Sequence, residues 1–384
     1  MIVDALRDEL AALAHEGLSR SHRTVSTPTQ PETKMNGKRV VAFCSNDYLG
    51  LANHPDLIKA VTAGVKKWGV GSGASHLISG HQTPHEEAQE KLAAFVGMEK
   101  ALLFSTGYMA NLGVVQSLVG RSDEIFADRL NHASLIDAAQ LSRADHMRYP
   151  HADMGTLRAQ LAASTGKRKM ILTDGVFSMD GDIAPLPELF ELAEKHVAWL
   201  VIDDAHGFGT LGPQGRGSLS HFSIPASPRV VYMGTLGKAA GVAGAFVAGN
   251  TTVIDYLLHT ARTHIFTTAQ PPALSVATQK SLELIAEGDA RREHLQGLIA
   301  RLRDGFKTLP WELMASPTAI QPLIIGSNED VLRISAGLLE KGFWVPAIRP
   351  PTVAAGKARL RITLSAAHTE DHVDGLINAL KQLA

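Results

Sequence analysis

The fold is set by a stretch that begins Trp199-Leu200-Val201-Ile202-Asp203-Asp204-Ala205-His206-Gly207. A second apolar run, Val230-Val231-Tyr232-Met233, ends in Gly234-Thr235-Leu236-Gly237-Lys238. Short runs of β-branched and aliphatic residues that close in glycine are typical of buried strands. Ligands of open α/β sheets bind beyond the carboxyl ends of the strands. We therefore expect an acid, a histidine, a hydroxyl and a lysine to meet in one crevice.

This set of side chains is the one that pyridoxal 5′-phosphate requires. Its aldehyde needs a lysine, and its ring nitrogen needs a carboxylate that keeps the ring protonated. We assign Lys238 as the Schiff-base lysine and Asp203 as the partner of the ring nitrogen. His206 is placed to reach the phenolic oxygen, and Thr235 to reach the phosphate.

Other interpretations of this stretch stay open on these residues alone. An aspartate at a strand end is often only a turn former, and a Gly-Lys pair is common on surfaces. Gly207-Phe208-Gly209-Thr210-Leu211-Gly212 also fits the dinucleotide pattern G-x-G-x-x-G. We disfavour a dinucleotide site because the glycines lead into Pro213 rather than a helix. In addition, no acidic residue between Ala205 and Ile254 could bind a ribose.

Composition narrows the class of protein. The chain has 384 residues, 45% of them hydrophobic, a net charge of −1 and no long basic run, so nucleic acid is not expected as a partner. Its single cysteine, Cys44, excludes an intrachain disulfide and fits a reducing cytoplasm. The charged first residues do not resemble a signal peptide, and no run approaches the roughly 18 apolar residues of a membrane span. We predict no metal site, because Pro84 separates His81 from His85.

The order of predicted elements gives an α/β fold in three parts. Residues 1–44 are predicted to form an N-terminal arm, with a helix to about residue 24 and a hairpin at Asn36-Gly37. Strands that alternate with helices from about 45 to 250 predict a mostly parallel, doubly wound sheet in a domain spanning 45–270. Residues 271–384 are predicted to begin with one long helix, from Pro272 through Leu309, and to end in a small α+β domain.

Further candidates depend on the lysine assignment. Strand, small polar residues, glycine and helix follow one another up to Met109, so Gly107 and Tyr108 could offer backbone N–H groups to a phosphate. Asn131 could cap a helix, in which case His132 is a bystander of the cap; alternatively His132 stacks on the cofactor ring and contacts the substrate. The Ser178 hydroxyl is a candidate hydrogen-bond partner of the cofactor or of His206.

Arginines near the C-terminus are candidates for anion binding. Arg349 is followed by two prolines, which stiffen its loop, so its guanidinium could bind a carboxylate in a bidentate manner. The alternative for Arg349 is an interdomain salt bridge. Arg359 and Arg361 alternate on a predicted strand and face the same way, and we expect them to be structural or peripheral.

Four motifs together resemble the α-oxoamine synthases, which are fold-type I pyridoxal phosphate enzymes of the aspartate aminotransferase kind. They are Ser45-Asn46-Asp47-Tyr48-Leu49-Gly50, Asn131-His132-Ala133-Ser134, Asp203 to Gly207 and Thr235 to Lys238. The resemblance covers nearly the whole chain and implies a seven-stranded sheet. The stretch from Ile348 to His368, with Gly288 to Glu293 and Asp128 to Leu130, looks most like the members that condense L-alanine with a pimeloyl thioester in biotin biosynthesis. Coenzyme A and a carrier protein stay open as the thiol.

The resemblance implies roles for individual residues. Lys238, Asp203, His206 and His132 carry over as catalytic residues, and His132 also as a cofactor and substrate contact. Ser178, Thr235, Gly107, Tyr108 and Thr268 carry over as cofactor contacts, and Arg20, Arg349, Thr352 and Asn46 as substrate contacts. The resemblance implies a homodimer with shared sites, in which Asn46 and Thr267-Thr268 reach the neighbouring subunit.

The chain departs from the family's pattern at two places, and rival activities remain. Asp174 stands where glutamate is frequent, and Ala239-Ala240 where Gly-Phe is familiar; neither is expected to touch an assigned role. The nearest rivals are the glycine-using synthases that form 2-amino-3-ketobutyrate or 5-aminolevulinate. A non-catalytic pyridoxal-binding homologue is the second alternative, and a nicotinamide dehydrogenase the third.

Overall fold

The computed structural model describes residues 2–15 and 18–384. The N-terminal elements are α1 (Ile2–His15), β1 (Glu32–Met35) and β2 (Lys38–Ala42). The central elements are α2 (Pro55–Trp68), α3 (Thr83–Val96), β3 (Lys100–Phe104), α4 (Gly107–Leu118), β4 (Glu124–Asp128), α5 (Ala133–Ser142), β5 (Asp145–Tyr149), α6 (Met154–Ala163), β6 (Lys169–Asp174), α7 (Leu186–His196), β7 (Ala198–Asp203), α8 (Ser218–His221), β8 (Val230–Thr235), β9 (Ala245–Gly249), α9 (Thr251–Thr260) and α10 (Arg262–Ile265). The C-terminal elements are α11 (Pro272–Ala286), α12 (Asp289–Phe306), β10 (Glu312–Leu313), β11 (Ile320–Gly326), α13 (Asn328–Glu340), β12 (Phe343–Trp344), β13 (Ala347–Ile348), β14 (Ala358–Thr363) and α14 (Glu370–Lys381).

A seven-stranded sheet forms the centre of the molecule, in the order β3-β9-β8-β7-β6-β4-β5. The strands from β8 to β5 pair in parallel, and β9 is antiparallel to both of its neighbours. Successive residues of β7 face opposite sides: Leu200 and Ile202 join one buried apolar cluster, and Val201 joins the other. The mostly parallel seven-stranded sheet that the sequence predicts is therefore confirmed, with helices packed on both faces.

The strand directions bring the functional residues to one edge. Because β4, β6, β7 and β8 are parallel, Asp128, Asp174, Asp203 and Thr235 all lie at their carboxyl ends. β9 reverses the direction once on each side, so β3 also points its carboxyl end, and with it the start of α4, to this edge. The long-range topology thus places strand ends that are distant in sequence around one crevice.

The C-terminal part contains a second sheet and receives the N-terminal hairpin. β10, β11, β14 and β13 form a four-stranded antiparallel sheet. The predicted Asn36-Gly37 hairpin is confirmed by the pairing of Met35 with Lys38, and β2 then pairs in parallel with β12. The boundaries 1–44, 45–270 and 271–384 stay a prediction.

Two predicted helices have different lengths. The prediction of one long helix from Pro272 to Leu309 is wrong. The chain instead forms two helices, α11 and α12, with Glu287 and Gly288 between them. Gly288 is a poor helix former. The Ile285 carbonyl at the end of α11 accepts from Gly288 N at 3.1 Å and from the Arg292 guanidinium at 2.7 Å, which satisfies the helix end.

The N-terminal helix is shorter than predicted. It ends at His15 rather than near residue 24; Met1, Glu16 and Gly17 lie outside the described residues. Ser19 to Thr24 offers no apolar residue at helical spacing that could pack against the body. No residue of α1 is buried. No helix in the described ranges has the length and apolar character needed to cross a membrane.

Candidate active site

Lys238 lies just beyond β8, where it contacts a second predicted site residue. Its Nζ is 2.8 Å from His206 Nε2. Burial lowers the pKa of Lys238 to about 8, against the opposing charges of Asp203 and Asp174. At physiological pH a fraction of the amine is therefore unprotonated, and the carboxylate charges that act on it come from the predicted acid and from Asp174 on β6.

His206 connects the lysine to a tyrosine that the sequence analysis missed. His206 Nδ1 is 2.5 Å from the Tyr48 hydroxyl, which donates to Asn46 Oδ1 at 3.2 Å. Burial, followed by the charge of Lys238, holds the pKa of His206 well below its usual range, so the ring is neutral. Since Nε2 accepts from Lys238, the ring proton lies on Nδ1 and is donated to Tyr48. Burial also raises the pKa of Tyr48 to about 12, which keeps its phenol protonated.

Asp203 is a buried carboxylate with a defined set of donors. Its Oδ1 accepts from Ala205 N at 3.0 Å, and its Oδ2 accepts from Asn111 Nδ2 at 2.7 Å. Asn111, on α4, is fully buried and also donates to Ser134 Oγ at 2.8 Å. An ionised carboxylate has about four acceptor positions, so Asp203 can still accept from a ring N–H. No pattern around Asn111 in the sequence indicated this role.

His132 is the N-cap residue of α5, so the prediction that Asn131 caps this helix is wrong. Nδ1 accepts from Ser134 N at 3.2 Å and lies 2.7 Å from Ser134 Oγ. The neutral ring therefore carries its proton on Nε2, which makes Nε2 a hydrogen-bond donor. Its second predicted use, as a contact of the cofactor and substrate, stays compatible with the cap.

Asp174 corrects an expectation. It was expected to touch no assigned residue, yet its Oδ2 accepts from His132 N at 2.8 Å. Burial, followed by the charge of Asp203, raises the pKa of Asp174 well above its usual range. Asp174, at the end of β6, therefore fixes the backbone position of His132.

The predicted phosphate contacts surround the start of α4. Gly107 is its first residue, and Thr106 Oγ1 caps the helix by accepting from Met109 N at 3.1 Å. The first N–H groups of a helix lack partners within the helix and attract anions. The Tyr108 hydroxyl is hydrogen-bonded to Asp137. The group of Tyr108 that is predicted to contact a phosphate is therefore its backbone N–H. Thr235 Oγ1 donates to Gly244 O at 3.2 Å.

Arg361 was expected to be structural or peripheral, and it is a buried side chain that contacts two of the predicted site residues. Its Nε donates to Ser178 O at 2.6 Å, and its Nη1 lies 3.3 Å from Asn46 Oδ1. Its charge also helps to lower the pKa values of His206 and Lys238. The Ser178 hydroxyl makes no hydrogen bond to His206 in the described part of the chain, which leaves the cofactor as its predicted partner.

Three of the predicted substrate residues line a cavity of about 810 Å³. Arg20, Arg349 and Thr352 share it with Leu10, Leu13 and Pro350. Thr352 N donates to Arg349 O at 3.0 Å, which turns the loop onto itself. Thr268 is exposed and pairs with Ser75 through an isolated bridge.

One group of side chains has a spacing compatible with a metal ion. Ligand atoms of His151, Asp180 and Asp182 lie within 4.8 Å of one another. Each carboxylate already has a cationic partner, because Asp180 pairs with Arg359 and Asp182 lies 2.9 Å from His151 Nε2. His151 Nδ1 also contacts Asp128. Burial alone would lower the pKa of His151, but the hydrogen bonds that its ring donates to the two carboxylates raise this pKa to about 10. The group is accounted for by ion pairs.

The donor set as a whole fits pyridoxal phosphate. An amine with a lowered pKa, a buried carboxylate with remaining acceptor positions and a helix start with free N–H groups lie around one sheet edge. These are the three contacts that the aldehyde, the ring nitrogen and the phosphate of this cofactor need.

Known proteins share this architecture. The family model for aminotransferase class I and II matches residues 38–380. The chain is 62% identical to 8-amino-7-oxononanoate synthase of Herminiimonas arsenicoxydans, over 99% of each chain. A serine palmitoyltransferase from S. paucimobilis, solved with bound PLP–myriocin aldimine, superposes with a TM-score of 0.92 at 29% identity, over 99% of this chain and 96% of that one. The 8-amino-7-oxononanoate synthase from Francisella tularensis gives a TM-score of 0.79 at 30% identity, over 89% and 97%.

Proposed function

The chain belongs to the 8-amino-7-oxononanoate synthases, pyridoxal-phosphate-dependent acyltransferases of biotin biosynthesis with the class I and II aminotransferase fold, and from this we propose that the cluster around Lys238 is its active site. The reaction joins the Cα of L-alanine to the acyl carbon of a pimeloyl thioester. The C–S bond breaks, the thiol is released, and the alanine carboxylate leaves as carbon dioxide. The contact of Lys238 Nζ with His206 Nε2 beside the buried Asp203 is the observation that carries the assignment.

When bound, pyridoxal phosphate supplies an aldehyde that takes up the amino acid and a protonated ring that accepts the electron pair left at Cα. Asp203 holds the proton at the ring nitrogen, because its carboxylate is buried and kept in place by Asn111 and the Ala205 amide. The backbone amides at the start of α4 bind the phosphate, and the Thr235 hydroxyl assists them.

Lys238 moves the proton at Cα of alanine. A pKa of about 8 suits a general base near neutral pH, since the amine is partly unprotonated and still basic. The neutral ring of His206 accepts a hydrogen bond from this amine and keeps it oriented. The hydrogen bond from His206 to Tyr48 fixes the ring in turn.

Two further residues act on the substrates. His132 Nε2–H donates to the thioester carbonyl oxygen and so favours attack at the acyl carbon. Arg349 binds the alanine carboxylate, for which a guanidinium offers two parallel donors. Thr352 and Arg20, on the walls of the same cavity, contact the substrate.

The active unit is a homodimer in which Asn46 and Thr268 reach the neighbouring site. Large apolar side chains near Thr268 support this proposal, because Ile78 and Phe266 are 80% and 70% exposed in the single chain. Asn46 Oδ1 also accepts from Tyr48 within its own chain, so its contribution across the interface would come from the amide nitrogen. A cytoplasmic location fits the single cysteine, Cys44.

The assignment of substrates is tested by offering alanine and glycine with pimeloyl, acetyl and succinyl thioesters. We expect turnover with alanine and the pimeloyl thioester to exceed every other pair. A preference for glycine with an acetyl or succinyl thioester would instead indicate a 2-amino-3-ketobutyrate ligase or a 5-aminolevulinate synthase. No turnover with any pair, together with intact cofactor binding, would indicate a non-catalytic homologue.

A further inference from the structure

A chain of hydrogen bonds runs through the protein from Asp203 to His132. Asn111 Nδ2 lies 2.7 Å from Asp203 Oδ2 and 2.8 Å from Ser134 Oγ. Ser134 Oγ lies in turn 2.7 Å from His132 Nδ1. Asn111 and Ser134 are 0% and 1% exposed, so solvent does not compete for these contacts. Two buried residues therefore connect the acid proposed for the ring nitrogen with the histidine proposed for the thioester.

Asp203 fixes the direction in which this chain donates. An amide nitrogen is a donor only, so each of the two contacts of Asn111 Nδ2 uses one of its hydrogens. The rotated amide would bring its oxygen against the Asp203 carboxylate, and two acceptors repel each other. Asn111 Oδ1 is itself buried and has no hydrogen-bond partner in the described part of the chain, so no contact of that oxygen selects the orientation. The carboxylate therefore decides that an amide N–H faces Ser134.

The hydroxyl of Ser134 passes this direction on to His132. Ser134 Oγ accepts from Asn111, so its own single hydrogen lies along the contact with His132 Nδ1. The backbone N–H of Ser134 also donates to Nδ1, at 3.2 Å. Because two donors are aimed at Nδ1, this nitrogen stays unprotonated. The neutral ring then carries its hydrogen on Nε2.

The position of this hydrogen decides what His132 can do for a substrate. Within residues 2–15 and 18–384, Nε2 forms no hydrogen bond, and His132 is exposed where Ser134 is buried. In the proposed mechanism the Nε2–H donates to the thioester carbonyl oxygen. The other tautomer would present a lone pair to that oxygen and would repel it. The buried chain therefore determines whether the ring assists or opposes acyl transfer.

We propose that Asn111 and Ser134 are positioning residues that make His132 a hydrogen-bond donor at Nε2, with Asp203 as the group that sets their direction. The inference rests on the proposed function, because it requires His132 to meet the thioester. It adds that Asp203 serves two steps. It acts directly at the ring nitrogen when the alanine proton is removed, and it acts through Asn111 and Ser134 when the acyl group is transferred.

The tautomer is tested by nitrogen NMR of the holoenzyme, with an NMR-active nitrogen isotope in its histidine rings. Protonated and unprotonated nitrogens of a neutral imidazole have well separated chemical shifts, and the signals that disappear in His132→Gln identify this ring among the 17 histidines. At about pH 8, above the ordinary pKa of histidine, we expect a protonated Nε2 and an unprotonated Nδ1 in the wild type. Ser134→Ala should move both shifts toward each other, because one donor to Nδ1 is lost and the tautomers mix.

The kinetic test separates the two steps on the same holoenzymes. Ser134→Ala should lower kcat/KM for the pimeloyl thioester about 3- to 10-fold, the scale of one hydrogen bond, and leave exchange of the alanine α-proton with deuterium oxide at the wild-type rate. Asn111→Leu, which is similar in size and has no donor, should slow both steps because Asp203 also loses a hydrogen bond. Ser134→Thr keeps a hydroxyl and should restore kcat/KM. Ser142→Ala, which removes a buried hydroxyl at the other end of α5, is the matched control.

Three results would overturn the inference alone. They are a protonated Nδ1 of His132 in the wild type, an unchanged ring spectrum with unchanged kcat/KM in Ser134→Ala, and equal losses of proton exchange and acyl transfer in that variant, which indicate a general structural defect. Acyl transfer at the wild-type rate by His132→Gln has a different meaning. It would refute the role of His132 in the proposed function, and the inference with it.

Discussion

On the cofactor side of the site, Asp203 and His206 are buried at the ends of strands, and their polar atoms have partners within the chain. On the substrate side, Arg20, Arg349 and Thr352 lie on loops from the N-terminal arm and the C-terminal part around a cavity of about 810 Å³. The central sheet supports the first side, whereas the second includes the N-terminal arm, whose helix α1 has no buried residue. The residues at the strand ends can hold the reacting groups in a fixed geometry. The loop residues can differ between enzymes that bind different substrates.

This contrast has a kinetic consequence. Substitutions on the cofactor side should change cofactor binding and the rate of proton transfer, because those residues act on the reacting atoms. Substitutions on the substrate side should mainly change KM, because those residues bind groups that do not react.

The largest effect is expected at the cofactor side. Lys238→Ala should abolish the visible absorbance of the bound cofactor and lower turnover at least about 10⁴-fold, since the chain loses the attachment amine and the base together. Absorbance spectra and a discontinuous product assay measure both. Lys59→Ala, an exposed lysine on α2, is the control. A normal spectrum in the Lys238 variant would refute the assignment.

A smaller loss is expected from Asp203→Asn. The amide cannot hold a proton at the ring nitrogen by charge, so exchange of the alanine α-proton with deuterium oxide should slow by about 10²- to 10³-fold. Proton NMR without an acyl donor isolates this step. Burial raises the pKa of the neighbouring Asp204 to about 7, so Asp204→Asn resembles the protonated acid and should exchange normally. Equal rates in the two variants would contradict the role of Asp203.

Arg349→Gln tests the substrate side. We expect KM for alanine to rise about 10- to 100-fold with a smaller change in kcat, because a carboxylate loses charge-assisted hydrogen bonds while the reacting groups stay in place. Steady-state kinetics at saturating thioester measure the split. A fall in kcat at unchanged KM would show that the two sides of the site are not separable in the way proposed.

The smallest effect is expected on the free energy of unfolding, through the ion pairs of His151. Because the folded-state pKa of His151 is raised to about 10, its stabilisation is complete below its ordinary pKa of about 6.5 and is lost as the pH rises through 10. The stability difference between the wild type and His151→Gln should shrink over that window by up to about 1.4 kcal/mol per pH unit. Guanidinium denaturation of the holoenzyme at fixed protein concentration measures it. A difference that is constant with pH would exclude the ion pairs, and the exposed His259→Gln is the control.

Pattern alone identified the residues that end apolar strands. Lys238, Asp203 and Thr235 follow buried runs closed by glycine, and parallel strands must bring such ends to one edge. The role of His132 was harder to predict. Its Nδ1 caps a helix, and its functional role depended on the assignment of Lys238. The break between α11 and α12 was missed because both halves have helical spacing and only one glycine separates them.

The remaining residues could not be found by local reasoning. Asn111 lies 92 residues from Asp203, Tyr48 lies 158 from His206, and Arg361 lies 315 from Asn46. Each of these contacts joins different elements, so neither the spacing nor the neighbours of one residue indicate its partner.

The sequence by itself predicted the class of sheet and the strand ends that carry Lys238 and Asp203, because periodicity and strand-end chemistry are local properties. Only the tertiary structure showed which side chains contact those groups, that Arg361 contacts Ser178 and Asn46, and that Arg20, Arg349 and Thr352 share one cavity. The physical reason is that hydrogen bonds and electrostatic fields act over a few ångströms in space, whatever the distance along the chain.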